Sequence, residues 1–275
     1  MVIRIATRNN LMDNPNNRSS HKHAIPRLGG IGIFFSLVVG MFVLQGYESG
    51  TTIISLLTCF TLLFLVGLKD DIAGVNPITK LITQIICAGV LAMTPGFQLD
   101  LLNQVFNIPG FNAAYLIFLL VPAVVNSFNL IDGIDGLASI VGITIISTLS
   151  IPFLIIHDYL FFGICLLLVG SLIAFMRFNI NQSGLKTFLG DTGSMIIGVS
   201  IAALVIHLLS YDIHTFTEQP IPFKHIPFFL IAVLFIPIYD TTRIFIVRIA
   251  KKQSPFKADT CHTHHLLLFK YNWHY

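Results

Sequence analysis

Charged residues are scarce in this sequence. Aspartate, glutamate, lysine and arginine together make up 11% of its 275 residues, whereas an ordinary soluble domain carries roughly a quarter. This scarcity, together with 55% hydrophobic residues, excludes a disordered chain and a basic nucleic-acid-binding domain. The cysteines number four, three of them inside apolar runs, and do not imply the disulfide framework of a secreted module. The composition indicates an integral membrane protein, and no nucleic-acid partner is expected.

Long apolar segments take up most of the chain. A membrane-spanning helix needs about 20 apolar residues. Eight runs of suitable length occur, at residues 31–47, 51–68, 78–97, 113–131, 136–156, 159–178, 192–211 and 226–249. We predict an all-α, polytopic integral membrane protein of about eight transmembrane helices, in which residues 1–275 form a single membrane-embedded domain. In the third run, Lys80 is expected to extend to the membrane interface and Gln84 to face protein instead of lipid.

The basic residues are distributed unevenly across the predicted membrane. With eight alternating spans, 15 of the 16 lysines and arginines fall on the side that both termini share. The positive-inside rule then places both termini in the cytoplasm. Eight of the 13 acidic residues lie on the same side, although carboxylates contribute little to that rule. Their position favours a fixed cation or polyphosphate site over a solvated surface.

The second apolar run ends in Lys69-Asp70-Asp71. Adjacent carboxylates in a half-buried place repel each other, and they need a metal ion, a basic partner or a shared proton. A solvated helix end with Lys69 as counter-ion is the structural alternative.

The fourth apolar run leads into a polar segment that contains Asn126, Asn129, Asp132 and Asp135. The first three are spaced by three residues and therefore share a helical face. Helix capping accounts for one or two of these side chains, whereas a ligand site accounts for all four.

The seventh run opens with Gly190-Asp191-Thr192-Gly193-Ser194. The first N–H groups of a helix, together with its dipole, favour a bound anion. Asp191 offers a hard oxygen ligand for Mg²⁺. We expect an anion at these N–H groups, and the segment is also a good helix N-cap.

The last loop contains His262, His264 and His265, close to Lys257. The paired spacings of a structural zinc motif are missing, so histidines that donate to phosphate oxygens are favoured over a zinc site. Independent helix caps would be scattered over both faces of the membrane. Polar clusters from four loops on one face therefore predict one composite site.

The order of these motifs resembles that of a known family. The motifs are Ile-Pro-Arg-Leu-Gly-Gly at 25–30, Asp70-Asp71, Asn-x-x-Asn-x-x-Asp-Gly-x-Asp-Gly-Leu-Ala at 126–138, Phe-Leu-Gly-Asp-Thr-Gly-Ser at 188–194 and His-x-His-His at 262–265. Together they resemble the polyprenyl-phosphate N-acetylhexosamine-1-phosphate transferases, glycosyltransferase family 4. The first and last motifs are similar to the WecA and TagO branch, which uses UDP-N-acetylglucosamine, and differ from the related MraY branch of peptidoglycan synthesis.

The resemblance implies a reaction and its partners. The enzyme is expected to transfer a HexNAc 1-phosphate, in the first place GlcNAc 1-phosphate, from a UDP-sugar to undecaprenyl phosphate. The products are a lipid-linked diphosphate sugar and UMP. This reaction initiates the synthesis of cell-envelope polysaccharides such as O-antigen, on the cytoplasmic face of the inner membrane. Mg²⁺ is the expected cofactor, with Mn²⁺ as an alternative.

The resemblance also implies roles for individual residues. Asp191 is expected to bind the metal, Asp70 and Asp71 to lie near the lipid phosphate, and Asp132 and Asp135 to line the nucleotide-sugar site. These last four are the expected catalytic residues. The expected substrate-binding residues are Arg27, Lys69, Asn126, Asn129, Asn179, His262, His264 and His265.

Several alternatives remain open at this point. The family pattern implies one further helix before this sequence and one or two after it, so an inactive truncated relative is an alternative. A transporter of an anionic solute is another, although its polar groups are expected near the bilayer midplane. Asp132-Gly-Ile-Asp135-Gly136 also begins the CDP-alcohol phosphotransferase pattern, but the pattern does not continue. Direct displacement, a phosphoenzyme, the preferred HexNAc and a homodimer are not distinguished by the sequence.

Overall fold

The computed structural model of the chain describes residues 12–13, 25–44, 46, 50–106, 113–181, 186–212 and 225–250. A 3₁₀ turn (Ala113–Leu116) leads into the fifth helix, and two short strands, β1 (Met12–Asp13) and β2 (Ile25–Pro26), pair antiparallel. Within the described residues the α-helices are α1 (Gly29–Leu44), α2 (Gly50–Ala73), α3 (Pro77–Ala92), α4 (Asp100–Phe106), α5 (Ile117–Ile131), α6 (Leu137–Ile155), α7 (Tyr159–Asn179), α8 (Gly190–Ser210) and α9 (Ile226–Ala250).

The helices confirm the predicted all-α membrane architecture. Each apolar run coincides with a helix, while the short helix α4 and the two strands are additions that the hydropathy pattern did not predict. Six helical segments, namely α2, α5 with its 3₁₀ turn, and α6 to α9, are long and apolar enough to cross a bilayer. The helices α1 and α3 are apolar but shorter, with 16 residues each. Large side chains such as Phe42 and Ile236 are about 70% exposed, as expected for a surface that faces lipid.

A tight turn between α2 and α3 brings two polar helix ends together. α2 runs five residues beyond its predicted end and carries Asp70 and Asp71 in its last turn. It ends at Gly74, which has a φ of +73° and donates its N–H to the Asp70 carbonyl oxygen at 2.9 Å, a helix end that glycine favours. Asn76 then caps α3 by accepting the N–H of Ile78 at 3.0 Å, and proline at the first helical position is typical of a helix start.

The central element is α8, in which every residue from 192 to 209 is buried. It packs mainly against α5, α2 and α1. Small residues make these contacts close: a Cβ atom on Gly198 would lie 2.6 Å from the Cα atom of Val125 in α5. Helices in membranes associate through such close backbone approaches, because lipid tails are as apolar as leucine side chains. α8 is therefore held by protein on all sides.

A polar network lies at the end of the bundle opposite the turn between α2 and α3. Asp158 caps α7 by accepting the N–H of Phe161 at 3.0 Å, and its Oδ2 accepts the Tyr211 hydroxyl at 2.5 Å and lies 2.9 Å from His207 Nε2. The other ring nitrogen of His207 lies 2.6 Å from the carbonyl oxygen of Gly96. Burial acts to raise the pKa of Asp158, but the bonds and charge of His207 and the Tyr211 hydroxyl outweigh it and lower the pKa. The network joins the ends of α3, α7 and α8.

The close approach of α8 to α5 can be tested by adding one methyl group. Gly198→Ala is expected to lower the midpoint of thermal unfolding, because over-packing typically costs about 1–3 kcal/mol. Gly170 in α7 has no atom within 4 Å of its Cβ position, so Gly170→Ala is the matched control and should keep or raise the midpoint. A thiol-reactive fluorescent dye can follow unfolding in detergent, since Cys59, Cys87 and Cys165 are buried. Equal midpoints for the two variants would contradict this packing.

Candidate active site

Lys80 lies between two carboxylates. Its Nζ is 2.8 Å from Oδ2 of Asp70 at the end of α2, and it also contacts Oδ2 of Asp191 at the start of α8. The second oxygen of Asp70 accepts the N–H of Val75 at 2.7 Å. The sequence predicted that Lys80 extends to the membrane interface, and it did not predict that the lysine is half-buried in an ion-paired cluster. The spacing could have indicated this position, because Lys80 and Gln84 are four residues apart and therefore share a helical face, and Gln84 was expected to face protein.

Asp71 serves as the cap of α8. Its carboxylate accepts the N–H groups of Asp191 at 2.9 Å and Thr192 at 3.0 Å, and the Thr192 hydroxyl at 2.6 Å. Gly190 permits this approach: it has a φ of +72°, and a Cβ atom there would lie 2.6 Å from an Asp71 oxygen. The sequence predicted a bound anion at these N–H groups. The structure shows that the anion is the protein's own carboxylate.

Asp132 follows α5 directly and is half-buried beside the same helix start. The N–H of Gly190 donates to its carboxylate. Burial, and then repulsion from the carboxylates of Asp191 and Asp71, raise the pKa of Asp132 to about 8, although Gly190 and the charge of Arg27 act in the opposite direction. The site therefore holds more carboxylates than its basic groups neutralise, and one of them takes up a proton near neutral pH.

Asn126 and Asn129 share one face of α5, as the spacing predicts, but they have different partners. Asn129 donates from Nδ2 to the Ser194 hydroxyl at 3.1 Å and hydrogen-bonds the Asp191 carboxylate. Asn126 pairs with Gln84 of α3, which confirms that Gln84 faces protein. Asn129 thus belongs to the cluster around Asp191, whereas Asn126 lies one helical turn away from it.

Asn179 and Asp135 are held by the segment that precedes α8. Asn179 is 5% exposed; its Oδ1 accepts the N–H of Gly136 at 2.5 Å, and its Nδ2 donates to the carbonyl oxygen of Thr187 at 3.1 Å. Asp135 is ion-paired with Lys186, a lysine that also lies 5.6 Å above the ring of Phe188. These bonds fix the turn between α5 and α6 against the segment before α8.

The segment around Arg27 is attached to the same region through its backbone. The carbonyl oxygen of Pro26 accepts the N–H of Phe188 at 2.8 Å, and the N–H groups of Gly29 and Gly30 donate to the carbonyl oxygens of residues 188 and 189 at 3.0 Å. The Arg27 side chain is exposed at this edge, and its positive charge acts to lower the pKa of Asp132.

The predicted site residues thus fall into three groups. Those brought together around the start of α8 are Arg27, Asp70, Asp71, Asn129, Asp132 and Asp191. Those next to this group are Asn126, Asn179, Asp135 and the exposed Lys69. His262, His264 and His265 lie outside the described residues. The sequence reasoning missed Lys80 as a member of the site, and it also missed Lys186 and Ser194 as partners of predicted residues.

The ligand set fits a hard divalent cation. In the part of the chain that the structure describes, no three or more His, Cys, Asp or Glu side chains are grouped to hold a metal ion. However, Asp70 and Asp191 already share one cationic group, the Lys80 ammonium, and the amide of Asn129 lies at Asp191. Mg²⁺ usually takes one or two carboxylates and completes its shell with waters and phosphate oxygens. Two converging carboxylates are sufficient for that role.

Comparison with known proteins gives a consistent result. The model of the family described as "Glycosyl transferase family 4" matches residues 53–209, the range that contains Asp70, Lys80, Asp132 and Asp191. The chain is similar to a probable undecaprenyl-phosphate N-acetylglucosaminyl 1-phosphate transferase of Bacillus subtilis, with 30% identity over 272 residues, 98% of this chain and 72% of the relative.

Two further relatives come from other bacteria. A decaprenyl-phosphate N-acetylglucosaminephosphotransferase of Mycobacterium tuberculosis is 29% identical over 97% of this chain and 71% of its own length. An undecaprenyl-phosphate alpha-N-acetylglucosaminyl 1-phosphate transferase of Escherichia coli K12 is 25% identical over 96% of this chain and 71% of its own length. All three matches extend over nearly the whole chain.

The capping role of Asp71 can be tested by removing part of its charge. Asp71→Asn leaves one acceptor atom for three donors, and an unsatisfied buried donor costs about 1–3 kcal/mol, so the thermal midpoint should fall. Asp135→Asn removes a more exposed ion pair, which is worth about 1 kcal/mol or less, and serves as the matched control. If Asp71→Asn keeps the wild-type midpoint but loses activity, Asp71 acts on substrate and not on α8.

The raised pKa of Asp132 predicts a pH dependence of stability. An aspartate in an unfolded chain ionises near pH 4, whereas folded Asp132 binds its proton up to about pH 8. The folded state therefore binds more protons over this window, and stability must fall as pH rises through it. Asp132→Asn cannot ionise and should lose less stability between pH 5 and pH 8. Thermal midpoints in detergent with EDTA measure this difference, and parallel curves for the two proteins would refute it.

Proposed function

The chain belongs to glycosyl transferase family 4, and from this we propose that it transfers N-acetylglucosamine 1-phosphate from UDP-N-acetylglucosamine to undecaprenyl phosphate, with release of UMP. The names of the bacterial relatives describe transfer to undecaprenyl or decaprenyl phosphate. The observation that carries the proposal is the convergence of Asp70, Asp132, Asp191 and Lys80 on the first turn of α8.

The acceptor in this reaction requires little activation. A phosphate monoester has a second pKa near 6, so at neutral pH it is already largely a dianion. We propose that one of its oxygens attacks the β-phosphorus of the UDP-sugar directly. The new bond joins this oxygen to the β-phosphorus, and the bond from the β-phosphorus to the bridging oxygen breaks. UMP leaves with the electron pair, and one phosphoanhydride replaces another.

Two anionic substrates must meet in this site against their mutual repulsion, so catalysis is mainly a matter of positioning and electrostatic stabilisation. Lys80 supplies a positive charge that is already held in place by Asp70 and Asp191. Arg27 supplies a second, more exposed charge at the same edge. We propose that Lys80 and Arg27 attract phosphate oxygens, and that Asp70 orients the lipid phosphate or accepts its residual proton.

We propose Asp191, with Asp70, as the ligands of Mg²⁺. When bound, the ion would neutralise charge on the diphosphate and on the leaving UMP. Asn129 orients the Asp191 carboxylate through its side-chain amide, and Asp71 orients it through the backbone of α8. Asp132 and Asp135 are assigned to the nucleotide-sugar side of the site, and His262, His264 and His265 to the diphosphate.

We further propose that this end of the bundle faces the cytoplasm, where nucleotide sugars occur. The bundle is multi-pass, and the alternation of the eight predicted spans puts 15 of the 16 lysines and arginines of the sequence on this side. In a bacterium the membrane would be the inner one. Residues 1–275 would then contribute to one membrane-embedded transferase domain, with a lipid acceptor entering from the bilayer and a soluble donor from the cytoplasm.

The assay follows UMP release by the purified chain in detergent. Undecaprenyl phosphate, Mg²⁺ and a panel of UDP-HexNAc donors are supplied, and UDP-N-acetylglucosamine is expected to give the highest rate. Asp191→Asn should lower kcat by about 100-fold or more. Asp212→Asn is the matched control, because Asp212 lies at the opposite end of the bundle, where it accepts from Gln104 at 3.1 Å.

Metal removal supplies a second arm of this test. EDTA should abolish UMP release, and added Mg²⁺ should restore it. Failure of every donor to yield UMP with wild-type protein would overturn the proposed function. An Asp191→Asn variant as active as the wild type would overturn the metal assignment alone.

A further inference from the structure

Gln84 is an amide buried inside an apolar helix. It is 1% exposed, and its neighbours along α3 include the buried Cys87 and Ala88. A polar group in this position is costly unless it is hydrogen-bonded. The cost is met by a reciprocal pair with Asn126 of α5: Gln84 Nε2 donates to Asn126 Oδ1 at 3.3 Å, and Asn126 Nδ2 donates to Gln84 Oε1 at 2.9 Å.

The pair lies one helical turn away from two residues of the site, Lys80 and Asn129. Gln84 follows Lys80 by four residues on α3, and Asn126 precedes Asn129 by three residues on α5, so each residue shares a face with its partner in the site. Lys80 and Asn129 both contact the Asp191 carboxylate, Lys80 by an ion pair and Asn129 by a hydrogen bond. The positions of Lys80 and Asn129 relative to each other therefore depend on how α3 sits against α5.

A reciprocal amide pair fixes that relation along the helix axes. Both bonds form together at one offset of the two helices, and a slip of one residue moves a helix by about 1.5 Å. Asn126 is itself held by its own helix, because its Nδ2 also donates to the carbonyl oxygen of Pro122 at 2.8 Å. Just beyond the other end of α3, the Thr94 hydroxyl is hydrogen-bonded to the Ser55 hydroxyl of α2 and to the carbonyl oxygen of Val90, both at 2.7 Å.

We propose that Gln84 and Asn126 are positioning residues for the transfer reaction. Their pair sets α3 against α5 so that the Lys80 ammonium and the Asn129 amide meet at the Asp191 carboxylate. Asn126 then acts through Asn129 and Lys80, and not as the direct substrate contact that its motif suggested. This inference rests on the proposed function for its catalytic readout, while the pair itself can also be measured by stability.

A double-mutant cycle tests the pair. Gln84→Met keeps the length of the side chain without its hydrogen bonds, and Asn126→Leu keeps the approximate volume. Each single variant is expected to lower kcat about tenfold or more, because small misplacements of reacting groups are costly, with KM for UDP-N-acetylglucosamine within about twofold of wild type. The kcat of the double variant should be no lower than that of either single variant, because each single variant already breaks the pair.

The matched control removes hydrogen bonds just beyond the other end of α3. Thr94→Val removes the hydroxyl that bonds to Ser55 and to the Val90 carbonyl oxygen, and it should lower the thermal midpoint by a similar amount while kcat stays unchanged. The exchange variant Gln84→Asn with Asn126→Gln restores a reciprocal pair and should recover most of the lost kcat. If it folds with the wild-type midpoint but remains as slow as the single variants, the proposal is wrong.

The remaining outcomes are distinguishable. If Asn126→Leu raises KM strongly, Gln84→Met does not, and the two effects add, Asn126 contacts substrate and the inference fails while the proposed function stands. If wild-type protein releases no UMP, the proposed function fails. The same cycle read from thermal midpoints then decides the pair: coupled losses support its role between α3 and α5, and additive losses overturn it.

Discussion

The attachment of the α8 start to its neighbours is the interaction on which the rest of the site depends. Asp71 of α2 accepts two N–H groups and a hydroxyl from the first turn of α8, and Asp132 accepts the N–H of Gly190. The first N–H groups of any helix lack partners within it, and here carboxylates from two other elements supply them. Because Asp191 belongs to this turn, its carboxylate stands where Lys80 and Asn129 can reach it.

These bonds also concentrate negative charge at one end of an apolar bundle. The carboxylates of Asp70, Asp71 and Asp132 each interact with that of Asp191 closely enough to affect protonation, and Lys80 is the counter-ion that Asp70 and Asp191 share. Such an arrangement is unfavourable by itself, and it becomes favourable when a divalent cation and basic side chains balance it. The charge imbalance that costs stability in the free protein is thus suited to a cation and to substrates that carry phosphate.

The sequence predicted the helices well and the contacts within the site less well. In a bilayer the backbone N–H and C=O groups must be hydrogen-bonded within the protein, and an apolar run of spanning length achieves this as a helix. Each of the predicted runs accordingly forms a helix. The ion pairs of Lys80 were not predicted, because hydropathy cannot distinguish a lysine that reaches only lipid headgroups from one that meets a carboxylate 111 residues away. The N–H groups of 190–192 were predicted to bind an external anion, since nothing local reveals that Asp71 fills that place. Asn126 and Asn129 share a face as predicted, but only the packing of α3 distinguishes their partners.

The adjacent pair Asp70 and Asp71 shows how helical geometry divides one motif into two tasks. Consecutive residues on a helix point about 100° apart, so the two neighbouring carboxylates meet different parts of the α8 start. Asp71 faces the backbone of α8 and is fully engaged there. Asp70 faces Lys80 and the Asp191 carboxylate instead. The two aspartates therefore have different partners: Asp71 fixes the start of the helix that carries Asp191, and Asp70 stands beside the Asp191 carboxylate, as the proposed cation site requires.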